Sequence, residues 1–133
     1  MNYLFETSSI LLTLKLGKVE LLYGQYINVL SLYELGNIIW GEVYVDKKLG
    51  EDDGKLMLDV LRRITNYVNV LDIRGLESQI LDVSLRLGLT FYDASYIVLS
   101  KNHNLTLVTE DSKLQEKASR LVNVCNVHEL IGR

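Results

Sequence analysis

Short apolar runs of extended character alternate with longer stretches of helical period along the whole chain, and no proline interrupts them. This alternation constrains the fold most. Strands separated by helices pair in parallel, and a parallel sheet needs helices over both faces. Residues 3–5 read as a first strand. Thr7, Ser8 and Ser9 then suit the cap of a helix at 9–15, ended by Gly17. Residues 18–23 supply another helical turn or two, and 26–30, apolar and partly β-branched, a second strand. From 31 to about 46 the apolar residues Leu32, Leu35, Ile38 and Ile39 take helical spacing. Ser31 is placed there as N-cap with Glu34 three positions on, the spacing of a capping box. The remainder reads as helix 55–67, strand 69–73, helix 76–87 closed by Gly88, helix 92–103, strand 105–108, helix 111–120 and strand 121–126. The expectation is an α/β fold with a mostly parallel five-stranded sheet between two helical layers.

At 133 residues the chain has room for one domain, taken as 1–133, with 48% hydrophobic residues available to fill a core. A formal net charge of −3 excludes a protein held to nucleic acid by bulk positive charge. One cysteine allows no internal disulfide. No apolar run approaches the roughly 18 residues of a membrane span. The opening Met1-Asn2-Tyr3-Leu4-Phe5-Glu6 has no basic stretch of the kind that starts a secretion signal. A cytoplasmic protein without membrane contact is expected.

In an open parallel sheet, chemistry collects beyond the C-terminal ends of the strands. Four acids belong there. Glu6 follows the first strand, Glu34 lies in the helix leaving the second, and Asp111 follows the fourth. Asp93 opens a helix of about 11 residues rising ~1.5 Å each, and the strand that follows returns over a similar distance, so Asp93 comes back to the edge that carries Asp111. Singly, each has a plain structural role available: Glu34 as capping-box partner of Ser31, Asp111 as an N-cap, Asp93 as a cap. Together at one rim they repel one another, and a divalent cation relieves that. Oxygen ligands without nearby His or Cys suit Mg²⁺ or Mn²⁺. Such an ion also lets an acidic protein handle a polyanion.

With these residues in view the sequence resembles the PIN domain family, and within it the VapC-type toxin ribonucleases of prokaryotic toxin–antitoxin pairs. The matching blocks are Tyr3-Leu4-Phe5-Glu6-Thr7-Ser8, Ser31-Leu32-Tyr33-Glu34-Leu35, Tyr92-Asp93-Ala94-Ser95-Tyr96 and Thr109-Glu110-Asp111-Ser112-Lys113-Leu114, in the family's order and spread over nearly the whole chain. The resemblance implies a three-layer PIN-like fold in which Glu6, Glu34, Asp93 and Asp111 hold one or two divalent ions and are the catalytic set. Ser8 and Thr109 would support them through hydrogen bonds. It also implies attack of metal-activated water on RNA, a cognate antitoxin bound near the acidic rim, and a homodimer. Glu6 departs from the family's usual Asp and adds a methylene.

A rival from another class is a PIN-like interaction module whose altered first acid has cost it catalysis. A phosphoacceptor receiver at Asp72 lacks the lysine such a domain needs after its last strand. Cys125-x-x-His128 is half of a zinc motif, and Asp46 to Gly54 lacks the alternating ligands of a calcium loop. The apolar residues Leu30, Leu32, Leu35, Ile38, Ile39, Trp40, Val43 and Tyr44 cover more than one face of their helix. One face suits the sheet and another either a second subunit or further packing within the chain.

Overall fold

The computed structural model describes residues 1–132. Five strands, β1 (Tyr3–Phe5), β2 (Tyr26–Asn28), β3 (Asn69–Leu71), β4 (Thr106–Val108) and β5 (Val124–Cys125), form one sheet in the order β3-β2-β1-β4-β5. Every neighbouring pair is parallel. Seven α-helices accompany them: α1 (Thr7–Lys15), α2 (Val29–Trp40), α3 (Glu51–Ile64), α4 (Glu77–Leu87), α5 (Phe91–Asn102), α6 (Ser112–Ala118) and α7 (Val127–Ile131). A 3₁₀ turn spans Val19–Leu22, and a π turn at Gly41–Val45 prolongs α2. Among the described residues no helix is long and apolar enough to cross a membrane.

The two-residue period of the strands sorts the core into two layers. Leu4 and Leu107 point to one face and pack with Ile80, Val83, Ile97, Leu114 and Ala118 of α4, α5 and α6. Phe5, Ile27 and Val108 point to the other and pack with Ile10, Leu35, Leu61, Ile64 and Val127 of α1, α2, α3 and α7. The interior strand β4 is buried throughout, while Asn69 and Val70 leave the edge strand β3 exposed.

Several boundaries differ from the sequence reading. The first helix begins at Thr7 rather than residue 9, and its cap is Glu6 instead of the hydroxyl run. β2 ends at Asn28, whose side chain caps α2 by accepting the Leu30 N–H at 3.1 Å. Ser31 is therefore not an N-cap but a fully buried residue inside α2, and no capping box joins it to Glu34. α3 starts at Glu51, so Glu51, Asp52 and Asp53 lie within its first turn, where negative charge suits the helix dipole. The expected strand 121–126 shrinks to Val124–Cys125. Beyond it the short helix α7 opens on a capping box between Asn126 and Glu129.

Candidate active site

The chain builds β1, β2 and β3 outward in one direction, then returns to the other side of β1 for β4 and β5. The connections after β1 and β4 therefore part at their C-terminal ends and open a crevice at the point where ligands bind in sheets of this kind. Glu6 closes β1 and Thr109-Glu110-Asp111 closes β4.

Glu6 is held from three sides. Its Oε2 accepts the Ser8 N–H at 3.2 Å, and its Oε1 accepts the hydroxyls of Ser8 and of Thr109, the latter at 2.6 Å. Both hydroxyls accept in turn: Ser8 Oγ from the Glu110 N–H at 3.0 Å, and Thr109 Oγ1 from the Asp111 N–H at 3.1 Å. Through the bond from the Ser8 N–H the Glu6 carboxylate caps the start of α1. Burial pushes the Glu6 carboxyl above its ordinary range, the bonds from Ser8 and Thr109 oppose this, and the Glu34 charge adds to the rise.

Glu34 stands on α2 with its Oε1 accepting the Thr7 hydroxyl at 2.8 Å and the Tyr96 phenol at 2.7 Å. Asp93 lies in the first turn of α5, whose cap is Thr90 rather than Asp93 itself. Its carboxylate accepts no hydrogen bond among the described residues. Burial raises its pKa first, then the charges of Asp111 and Glu34, with Lys113 opposing. Asp111 caps α6, its Oδ1 accepting the Leu114 N–H at 2.9 Å.

The four acids thus share one rim and act on one another in sequence: Glu6 with Glu34, Glu34 with Asp93, and Asp93 with Asp111. None belongs to an ion pair among the described residues. An open cleft of about 360 Å³, lined by Thr7, Ser8, Leu11, Asn37 and Ile38, takes in two of the four, Glu6 and Glu34. Glu34 Oε2, Asp111 Oδ2 and both Asp93 oxygens accept no hydrogen bond among the described residues, which leaves hard oxygen donors of the kind a divalent ion takes. Among the described residues no three acids, histidines or cysteines converge as a finished coordination shell. The donor chemistry and the mutual repulsion of these acids fit such an ion.

Two groups escaped the sequence reading. Glu110 accepts the Ser9 hydroxyl at 2.6 Å and the Val127 N–H at 3.1 Å through one oxygen, tying α1 and α7 to the turn that carries Thr109 and Asp111. Thr7, Ser31 and Tyr96 form a buried hydroxyl cluster behind Glu34. The signal for that cluster was hydroxyls at inward positions of otherwise apolar segments.

The PIN domain family model matches residues 9–120. The chain is 35% identical over 95 residues to "Exonuclease VapC9" of Pyrobaculum aerophilum, covering 71% of this chain and 68% of that protein. It is 30% identical over 93 residues to "Ribonuclease VapC3" of the same organism, covering 70% of each. The crystal structure of PAE2754 from Pyrobaculum aerophilum superposes with a TM-score of 0.81 at 28% identity, covering 100% of this chain and 96% of that one. The DNA-bound VapBC of Salmonella typhimurium shares the fold, with a TM-score of 0.66 at 17% identity over 95% and 98% of the two chains. The chain belongs to the PIN domain family and has VapC proteins among its relatives.

Proposed function

We propose that this protein is an endoribonuclease dependent on Mg²⁺ or Mn²⁺, the toxin of a VapBC-type toxin–antitoxin pair. The observation that carries the reading is the row of four carboxylates at one rim: burial and mutual repulsion push Glu6 and Asp93 upward, Lys113 alone opposes this by its charge at Asp93, and none of the four is in an ion pair among the described residues. The relatives named exonuclease and ribonuclease support a nuclease, and the VapBC neighbour supports an antitoxin partner. Glu6, Glu34, Asp93 and Asp111 would hold the ion, with Ser8 and Thr109 orienting Glu6. When bound, the ion would lower the pKa of a water and polarise the phosphodiester. Asp93, in the first turn of α5, and Asp111, at the cap of α6, would supply the remaining ligands. Thr109 joins the two halves, donating to Glu6 while accepting from the Asp111 backbone.

RNA is the substrate of this reading, the cytoplasm its setting and a homodimer its assembly. The exposed aromatic face of α2 and its π turn supports a dimer: Tyr33, Trp40 and Tyr44 stand in solvent, the last two stacked with ring centroids 5.7 Å apart. The test is incubation of purified protein with linear and covalently closed circular RNA, with Mn²⁺ or with EDTA, beside Asp93→Asn. Metal-dependent cutting of the circle supports an endonuclease. Cutting of linear RNA alone points to exonuclease action, and cutting that survives in Asp93→Asn removes this site from the reaction. A second reading, an interaction module without catalysis, draws on the engagement of both Glu6 oxygens within the protein. It predicts no cutting of either RNA.

A further inference from the structure

Thr7, Ser31 and Tyr96 come from α1, α2 and α5, yet their hydroxyls meet behind the rim, at 4%, 0% and 1% exposure. Three hydroxyls are costly to bury unless each is paired, and among the described residues no buried side-chain polar atom lacks a partner. Tyr96 donates to Glu34 Oε1 at 2.7 Å. Thr7 Oγ1 lies 2.8 Å from the same oxygen, 2.9 Å from Ser31 Oγ and 3.0 Å from the Tyr96 oxygen. Ser31 Oγ lies 2.8 Å from the Tyr96 oxygen.

Each hydroxyl has one proton, so the directions can be counted. With Tyr96 committed to Glu34, the Ser31–Tyr96 bond needs Ser31 as donor. Thr7 then shares its proton between Glu34 and Ser31. Every proton in the cluster points along a path that ends on one carboxylate oxygen, and such chains strengthen their members. A phenylalanine at 96 would fill the same space without a buried hydroxyl to satisfy, so packing alone does not account for the tyrosine.

We infer that Tyr96, relayed by Ser31 and Thr7, is a positioning residue for Glu34: it pins Oε1 inward and leaves Oε2 as the oxygen presented at the rim. The inference rests on the metal-site reading above. Asp93 and Tyr96 lie three residues apart on α5 and share one side of that helix. The phenol therefore sets the α2 acid against the α5 acid, fixing the spacing of two carboxylates that no backbone pairing joins directly.

The test measures Mn²⁺ binding by titration calorimetry, with thermal melting in EDTA to report the fold. Tyr96→Phe and Thr7→Val should weaken Mn²⁺ binding roughly 10- to 100-fold, the range for groups that orient a metal ligand. Thr7→Ser, which keeps the hydroxyl, should bind as the parent does. In a Glu34→Ala background, Tyr96→Phe should cost nothing further, because the carboxylate it orients is gone. A folded Tyr96→Phe protein that binds Mn²⁺ as the parent does overturns the inference, as does an equal loss in both backgrounds. If Tyr96→Phe fails to fold, the Thr7→Val and Thr7→Ser pair decides. If the parent itself binds no Mn²⁺, the metal-site reading falls first and the inference with it.

Discussion

Asp93 is the rim acid whose charge has least to oppose it, since its carboxylate accepts no hydrogen bond among the described residues and only Lys113 acts in its favour. Its folded pKa lies above the unfolded value, so its contribution to stability is present below that value and is lost as pH rises through the folded one. In EDTA near neutral pH, Asp93→Asn should therefore melt above the parent. That gap should close as pH is lowered through the folded value and below the unfolded one of roughly 4, where the parent's carboxyl is protonated in both states. Melting curves of the two proteins across pH check this, and a gap that widens on acidification contradicts it. Glu6 differs because it caps α1 and holds two hydroxyls. If its charge serves the reaction, Glu6→Asp should keep metal-dependent cutting, while Glu6→Gln should lose most of it. Rates that are equal for parent and Glu6→Gln would free Glu6 of any role beyond capping. The acids were legible in the sequence because charge at strand ends is conspicuous. Ser8 and Thr109 were named beside them through the family resemblance, whereas the meeting of Thr7, Ser31 and Tyr96 behind Glu34 was not legible, because inward hydroxyls on three separate helices do not state that they join.

The helices were legible by their apolar period and less so by their ends. Ser31 with Glu34 has capping-box spacing, yet Asn28 three residues earlier takes the cap, because β2 stops after three residues and frees its amide side chain. The apolar Val29 and Leu30 look extended in sequence and belong to α2. Asn126 and Glu129 carried the same box signal in a segment too short to stand out, and there the box is real. Asn28 also donates from Nδ2 to Ser95 Oγ at 2.9 Å, inside the core, joining the start of α2 to α5. Asn28→Ala should thus lose a cap worth about 1 kcal/mol and a buried bond to Ser95 worth about 1 kcal/mol more, for roughly 2 kcal/mol in all, the Ser95 hydroxyl keeping its bond to the Tyr92 carbonyl. Urea unfolding midpoints measure it, and a loss below about 0.5 kcal/mol, the scale of an ordinary surface change, would show that neither bond matters.

Across the whole molecule, strand count and parallel pairing followed from the alternation of elements, whereas strand order did not, because nothing local states which side of β1 the chain returns to. The expected return of the chain along the helix from Asp93 and the strand after it nevertheless placed Asp93 at the edge that carries Asp111, although β4 itself has only three residues, and their charges do act on each other. Those acids come from different helices, α5 and α6, while Glu6 and Glu34 come from α1's cap and α2. An ion at the rim would clamp both helical layers across the sheet and exist only in the folded state. Such a ligand adds RT ln(1 + [L]/Kd), about 2.7 kcal/mol at a hundredfold excess over Kd, which raises the melting temperature by several degrees in a domain this size. Millimolar Mn²⁺ should therefore raise the parent's melting temperature, and Asp93→Asn should gain much less, having given up both a ligand charge and the repulsion that the ion relieves. The comparison separates site binding from a general salt effect, because screening of surface charge would lift both proteins alike. An unchanged parent melting temperature across the titration would leave the rim without its ion, and the row of unpaired acids would then need another explanation.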